Sequence, residues 1–388
     1  MITTMVFGVD HFISKYRSPG KNLGLLTNDA ALTTSGISSR LALLKAGFSI
    51  SRIFSPEHGL MANRPDGAPV EDQQDPLTGL PVVSLYGDQM KPRPEQLSGL
   101  DAVLFDIPDV GCRFYTYLWT MTYMMDACRE ASIPLWILDR PNPIGGRVEM
   151  AEGPLLDETH CSSFIGRWDI PIRHSLTLGE LARYFAATRV MGLQLEVVPC
   201  QGWNRSLTYM ESGHPFIPTS PAMRDAETAL MYPGTGLLEG ININEGRGTA
   251  QPFRQMGAPW IDGKRLLKGM GQMAIAGMEC YPIQYIPDMG LFAGEKCRGL
   301  KFRITDPGIF RPVHFGIQLI KLMMYLHPDH VLPRPYVTAA NPSGSDHLDR
   351  LTGVQGAFQK LLKNEALVLD VNPGWKDAIM PYLLYSSS

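Results

Sequence analysis

The sequence predicts an α/β protein built on a parallel β-sheet with helices on both faces. Short apolar runs alternate with helix-length segments through the first 150 residues. The runs are continuously apolar, as strands buried on both faces are, rather than alternating like half-exposed ones. Most of them end in acidic or turn-forming residues, and parallel sheets bind ligands outside the carboxyl ends of their strands. With 388 residues the chain suits two domains better than one.

The elements follow in order. Asn22–Thr27 is the first strand and stops at Asn28. Ser35–Ala46 carries Ile37, Leu41 and Leu44 at helical spacing and closes at Gly47. Phe48–Phe54 is the second strand, followed by Ser55-Pro56-Glu57-His58-Gly59. Pro81–Tyr86 is the third, and the wholly apolar Ala102–Phe105 is the fourth, running into Asp106-Ile107-Pro108-Asp109. Tyr115–Ala131 is a helix, and Leu135–Leu138 a fifth strand before Asp139-Arg140-Pro141-Asn142-Pro143. Glu152–Trp168 reads as the passage to a second domain, which divides the chain into 1–155 and 156–388. Thr177-Leu178-Gly179-Glu180 is a capping box that opens a helix and makes Glu180 a cap rather than a catalyst. Leu195–Val198 is a strand that this boundary assigns to the second domain. Residues 201–260 are rich in Gly, Pro, Trp and Asn and read as a long functional loop. Beyond them lie mixed α/β patterns, helices at Gly316–Leu326 and Gly356–Lys363, and a plain tail at Leu383–Ser388.

Composition narrows the function. The net charge is −3 and no basic stripe is present, which argues against nucleic acid. The six Cys are dispersed, in neither redox nor zinc spacing, and read as reduced thiols. No apolar run reaches about 18 residues, so no membrane-crossing helix is expected. The start, MITTMVFGVDHF, lacks the pattern of a signal peptide, so a cytoplasmic location is expected as written, with an exported form left open. Dinucleotide-binding glycines, a Walker A loop, H-E-x-x-H and G-x-S-x-G are all absent. No cofactor is expected, and oligomeric state is not legible.

The candidate chemistry gathers on the rim of strand ends. Glu57, Asp106, Asp109 and Asp139 all fall just past predicted strands, with His58 and Asn142 beside them. Glycoside hydrolysis needs one acid to protonate the leaving oxygen and a second carboxylate, or a substrate amide, to act opposite it. Glu57 is a candidate acid, held between Phe54 and Leu60; it reads equally as an ion-pair partner that orders its loop. Asp106 and Asp109, with Arg113, Tyr115 and Tyr117, form either a sugar pocket or a helix cap with its own ion pair. Asp139 and Asn142 fit a substrate hydroxyl or a rigid two-proline turn. His174 is more readily structural than catalytic. The run Glu239 to Thr249, preceded by Tyr232-Pro233-Gly234-Thr235, is dense in polar groups, and Leu237, Leu238, Ile241 and Ile243 would anchor it in a core. A divalent metal on Glu57, His58, Asp106, Asp109 and His174 is a further possibility, though no spacing among them is diagnostic.

The order of these motifs resembles the NamZ-type exo-β-N-acetylmuramidases, glycoside hydrolases long known as a domain of unknown function. The matching residues include Gly24-Leu25-Leu26-Thr27-Asn28, Ser55-Pro56-Glu57-His58-Gly59, Asp106 to Tyr117 and Leu138 to Pro143. Arg173-His174, Tyr232-Pro233-Gly234-Thr235, Glu239 to Thr249, Leu351-Thr352-Gly353 and Tyr382-Leu383-Leu384-Tyr385 continue the series. The resemblance implies a Rossmann-like N-terminal domain, a smaller C-terminal domain and an active site in the cleft between them. It implies release of terminal N-acetylmuramic acid from peptidoglycan-derived saccharides such as MurNAc-GlcNAc, with Glu57 as general acid/base. The second role would fall to Asp109, Glu239, Glu245 or the substrate's acetamido group. Arg113 or Arg247 would bind the lactyl carboxylate. Asn28, His58, Asp106, Tyr115, Tyr117, Asp139, Asn142, His174, Thr235 and Asn242 complete the expected sugar-binding set. One segment departs from the family pattern: Leu60 to Ala68 is not the shorter Arg-Gly stretch expected there, so the rim of the site should differ. Two rival readings are a metal-dependent hydrolase on the same rim and a non-catalytic muropeptide-binding protein.

Overall fold

The computed structural model describes residues 5–18, 20–370 and 373–386. Side-chain alternation along the first sheet decides which helices cover each face. In β1 (Leu23–Thr27), Leu23 and Leu25 enter one apolar cluster and Leu26 the other. In β5 (Ala102–Asp106), Ala102 and Leu104 go with the first cluster, Val103 and Phe105 with the second. Both strands are buried along their whole length, which explains their unbroken apolar sequence. On one face lie α1 (Gly8–Lys15), through Val9 and Phe12, and α2 (Ser39–Lys45), through Leu43. On the other lie the short α3 (Pro94–Leu97), α4 (Tyr117–Ala131) and α5 (Leu178–Thr188), which contribute Leu97, Trp119 and Phe185.

The remaining strands are β2 (Ile50–Ser55), β3 (Gln73–Gln74), β4 (Pro81–Ser84), β6 (Leu135–Leu138) and β7 (Leu195–Val198). The seven strands run β3-β4-β2-β1-β5-β6-β7, all parallel except the antiparallel edge strand β3. Leaving β3 aside, this is the third-second-first-fourth-fifth-sixth order of the Rossmann fold, which reverses between β1 and β5. The expected α/β class and Rossmann-like sheet are therefore present. One boundary shifts. Leu195–Val198, assigned above to the second domain, pairs with β6 from Leu135↔Leu195 to Leu138↔Val198. The first unit thus extends well past residue 155, because its sixth parallel strand follows the crossover helix α5.

The second unit holds an antiparallel sheet ordered β8-β10-β9, from β8 (Gln255–Ala258), β9 (Met278–Tyr285) and β10 (Cys297–Ile304). With it go α7 (Ala226–Thr235), α8 (Gly263–Met273), α9 (Pro312–Leu326), α10 (His347–Thr352) and α11 (Ala357–Leu362), whereas α6 (Tyr209–Ser212) bonds to Pro143 of the first unit and α12 (Pro373–Ile379) packs Trp375 against Tyr184 of α5. Residues 201–260 are thus more ordered than the expected loop. Tyr232-Pro233-Gly234-Thr235 ends α7, and a 3-10 turn, Gly236–Gly240, carries the chain on to Glu239 and beyond. Pro233 offers no N–H to the helix, and the tightening into 3-10 geometry follows at once. Leu237, Leu238, Ile241 and Ile243 are fully buried, so the anchoring expected of them holds. The C-terminal residues are no plain tail. The Tyr385 hydroxyl donates to Asp139 Oδ2 at 2.6 Å, and the Leu384 amide donates to Glu180 Oε1 at 3.0 Å. Ser387 and Ser388 lie outside the described residues. No described helix is long and apolar enough to cross a membrane.

Two glycines set how closely α7 and α9 approach. A Cβ on Gly316 would sit 2.3 Å from the Gly234 carbonyl oxygen, and one on Gly234 would sit 2.0 Å from that of Pro312. Since α7 leads into Glu239, this crossing fixes where that carboxyl stands. Gly316→Ala is expected to lower unfolding free energy by about 1–3 kcal/mol through forced separation of the helices. An unchanged denaturant midpoint would show that the crossing has slack.

Candidate active site

A cavity lined by residues of both units lies between them. Glu57 enters it from the turn after β2. The turn is sharp: His58 and Gly59 both have positive φ, at 66° and 73°. Glu57 is 5% exposed and both of its oxygens are engaged. Oε1 accepts the Gly67 amide at 2.9 Å, and Oε2 accepts the Thr116 hydroxyl at 2.6 Å. The Tyr86 hydroxyl also bonds it; burial and then the charge of Glu57 push the Tyr86 pKa well up, so Tyr86 remains a donor. His58 Nδ1 faces the Arg64 carbonyl at 2.8 Å, and its ring meets Tyr117 edge-on.

Gly67 belongs to the segment Leu60 to Ala68. Its φ is +69°, and a Cβ there would lie 2.6 Å from the Thr338 side chain. Only glycine takes this backbone comfortably and still aims its amide at Glu57. The neighbouring Asp66 accepts the Tyr336 hydroxyl at 2.5 Å and meets Arg247 at 3.3 Å. Asp66 is partly exposed; the desolvation it does suffer opposes its ionisation, but the Arg247 charge and then His58 and Tyr336 hold its pKa below the usual range.

The opposing wall comes from the second unit. Glu239 Oε1 accepts both Arg247 Nε at 3.0 Å and Nη2 at 2.7 Å. Arg247 Nε also lies 3.2 Å from Glu245, which in turn meets Arg334 at 3.3 Å. The Glu239 carboxyl is raised to about 8, chiefly by burial, with Asp66 and Glu245 adding repulsion against the attraction of Arg247. It therefore holds its proton at neutral pH. Tyr232, Tyr336, His347 and Arg350 line the same cavity.

Of the residues singled out in sequence, Glu57, His58, Tyr115, Glu239 and Arg247 line this cavity. Glu245 stands behind Arg247. The others are elsewhere, most of them tied into the fold by hydrogen bonds of their own, although Asn28 Nδ2, Asp109 Oδ1, Arg113 Nε and His174 Nε2 have no hydrogen-bond partner among the described residues. Asp106 forms a two-pronged pair with Arg140 at 2.5 and 3.0 Å. Arg113 donates to the carbonyls of Pro154, Ile170 and Leu351, and burial lowers its pKa to about 10. Asp139 caps α5 by accepting the Gly179 amide at 2.8 Å, and it also takes the Thr177 and Tyr385 hydroxyls. Asn142 ties Leu176 to Ile144, and Asn242 ties His330 to Leu332. Thr235 bonds back to the Met231 carbonyl, and the Asn28 side chain accepts the Ala30 amide. The Tyr117 hydroxyl donates to the Thr219 carbonyl at 2.6 Å. Asp109 and His174 face each other at 3.6 Å, and Asp109 borders a separate cavity at the ends of β1, β5 and β6. Glu180 is the cap expected of it, in a reciprocal box with Thr177, and it also pairs with Arg205 at 2.8 Å.

The five-residue metal rim therefore does not assemble. Among the described residues, the set of acidic and His side chains close enough to share an ion is Glu57, His58 and Asp66, with ligand atoms within 4.8 Å. Those atoms already serve Gly67, Thr116, Arg64, Tyr336 and Arg247, and a cation there would face the Arg247 guanidinium. Sequence reasoning missed Asp66, Tyr86, Tyr336, His347 and Arg350. They stand in loops and a short helix with no motif of their own.

Comparison with known proteins accounts for most of the chain. The family described as exo-β-N-acetylmuramidase NamZ matches through its N-terminal part at residues 23–227 and its C-terminal part at residues 230–385. The peptidoglycan β-N-acetylmuramidase NamZ of Bacillus subtilis (strain 168) is 39% identical over 325 residues, covering 83% of this chain and 78% of that protein. Two crystal structures of DUF1343-family proteins from Bacteroides fragilis NCTC 9343 share the fold. They superpose with TM-scores of 0.85 and 0.75 at 27% and 25% identity, each covering 100% of both chains.

Two measurements test the site's electrostatics. Glu239 keeps its proton in the folded chain up to about pH 8, whereas the unfolded chain releases it near 4.5. Between those values the unfolded state binds fewer protons, so stability falls as pH rises. Histidine titration complicates the lower part of this range, leaving roughly pH 6.5–8 as the window to read. There, Glu239→Gln is expected to flatten the fall seen in urea melts of the wild type; an identical slope would place the proton elsewhere. Arg113→Met should cost about 2–4 kcal/mol in the same melts, because it strands buried carbonyls. A neutral result would mean that Arg113 is not the structural tie its bonds suggest.

Proposed function

The chain belongs to the NamZ exo-β-N-acetylmuramidase family, and from that premise we propose that Glu57 and Glu239 hydrolyse the bond to a terminal β-linked N-acetylmuramic acid of peptidoglycan fragments. The observation that carries this is the placement of two buried carboxyl groups, Glu57 from the first unit and Glu239 from the second, in the lining of one cavity. Pairs of carboxyls whose surroundings set them apart are what glycoside hydrolysis requires.

Glu57 takes the role of general base, which its hydrogen bonds suit. Gly67 and Thr116 donate to its two oxygens and hold the carboxylate in place. Glu239 suits the first proton donation. Arg247 engages Oε1 alone, which leaves Oε2 for the proton. Glu239 would protonate the leaving oxygen while Glu57 acts at the anomeric side, on water or through the substrate's acetamido group. Tyr86 and Thr116 keep Glu57 oriented through the reaction.

The test uses 4-nitrophenyl β-N-acetylmuramide and the MurNAc-GlcNAc disaccharide, with chelator present. Glu57→Gln should lower kcat on both by roughly 10²–10⁴-fold while the fold persists. Glu239→Gln should damage hydrolysis of the disaccharide far more, because nitrophenolate needs little help to leave. The opposite pattern would exchange the two roles. No hydrolysis of either substrate by wild type would overturn the reading.

A further inference from the structure

Arg113 and Arg247 are the arginines that the sequence offers for the lactyl carboxylate, and neither is free to take it. Arg113 is fully buried on three backbone carbonyls. Arg247 lies against Asp66, Glu239 and Glu245, so an incoming carboxylate would compete with acidic groups already in place. The cavity has another arginine. Arg350 lines it from α10, and among the described residues no carboxylate pairs with it. Its neighbour Asp349 is occupied by the amides of Gly356 and Ala357.

A second observation points to the same helix. His347 stands three residues before Arg350, so the two share a helix face. His347 also lines the cavity, is 6% exposed, and has no hydrogen-bond partner on either ring nitrogen. Its ring is stacked on Tyr336 with centroids 4.6 Å apart. A buried imidazole with both nitrogens unused is costly unless a ligand completes it. Burial lowers its pKa to about 4, so it stays neutral and offers one donor and one acceptor.

We propose that α10 is the specificity element of the site, with Arg350 binding the carboxylate of the substrate's lactyl ether and His347 hydrogen-bonding the same substituent. The inference rests on the muramidase reading above and goes further by assigning the group that separates muramic acid from glucosamine. A guanidinium without an acidic partner can give a carboxylate two parallel hydrogen bonds.

The test compares three 4-nitrophenyl glycosides: the β-N-acetylmuramide, its lactamide analogue with the carboxylate neutralised, and the β-N-acetylglucosaminide. Wild type should prefer the muramide to the lactamide. Arg350→Met, which keeps the apolar stem, should raise KM for the muramide by roughly 10- to 100-fold, with a smaller change in kcat. It should also shrink the muramide-to-lactamide preference by a similar factor, and Arg350→Lys should restore part of it. A merely structural role would move all three substrates alike. If folded Arg350→Met keeps the wild-type preference for the carboxylate, the assignment is overturned while the muramidase reading stands. If wild type cleaves no muramide, that reading fails first.

Discussion

One guanidinium joins the two halves of the site. Arg247 meets Asp66 from the first unit and Glu239 and Glu245 from the second. Arg247 is largely withdrawn from water, and a guanidinium so placed needs compensating charge because its desolvation is costly. Three carboxyl groups around one arginine overcompensate, and Arg334 balances Glu245 from the far side. The remaining imbalance is relieved most simply if one carboxyl takes a proton. Glu239, deep in the cavity wall, is the one whose pKa is raised. The contact that holds the walls together thus also sets the protonation state of one of them. The acid is a consequence of the way the cleft is closed.

The same constraint reaches Glu57 through the backbone. Asp66 is held by Arg247 and Tyr336, and the next residue, Gly67, donates to Glu57. The Gly67 carbonyl in turn accepts the amide of Ala339 from the second unit. A loop of the first unit is therefore tied to the second on both sides of the amide that bonds Glu57. Preorganisation of this kind matters because hydrogen bonds that need not rearrange during reaction are the ones that accelerate it. The segment Leu60 to Ala68 makes the site as well as rimming it.

The fold was more legible than the site. Strands such as Leu135–Leu138 were read from apolar runs bounded by turns, since burial on both faces leaves little choice of residue. The sixth strand, Leu195–Val198, was found but misassigned, because a strand's sequence does not say which sheet it joins. In the site, Glu57 and Glu239 were legible from strand-end position and local density of polar groups. Asp106, Arg113, Asp139 and Asn142 looked equally functional and are structural. A polar side chain at the buried end of a strand must find a partner whether or not a substrate ever arrives. Asp106 found Arg140, and Asp139 found the start of α5. Sequence reports that a polar group is present; only the structure reports whether it is already satisfied.

That distinction is the working rule for the cavity. Arg113, Arg247 and Arg350 have the same chemistry in isolation. Arg113 is spent on carbonyls, and its fixed position carries Leu351 and hence the end of α10. Arg247 is spent on the acids that define the catalytic wall. Arg350 sits one residue from Leu351, on a helix whose placement Arg113 therefore helps to determine. The buried arginine tied to backbone carbonyls thus helps to position the helix that bears Arg350. On the reading proposed above, recognition of an anionic sugar in a cleft crowded with acids would depend on this division: cations are consumed to hold the acids in place, while Arg350, on a braced helix, has no acidic partner among the described residues.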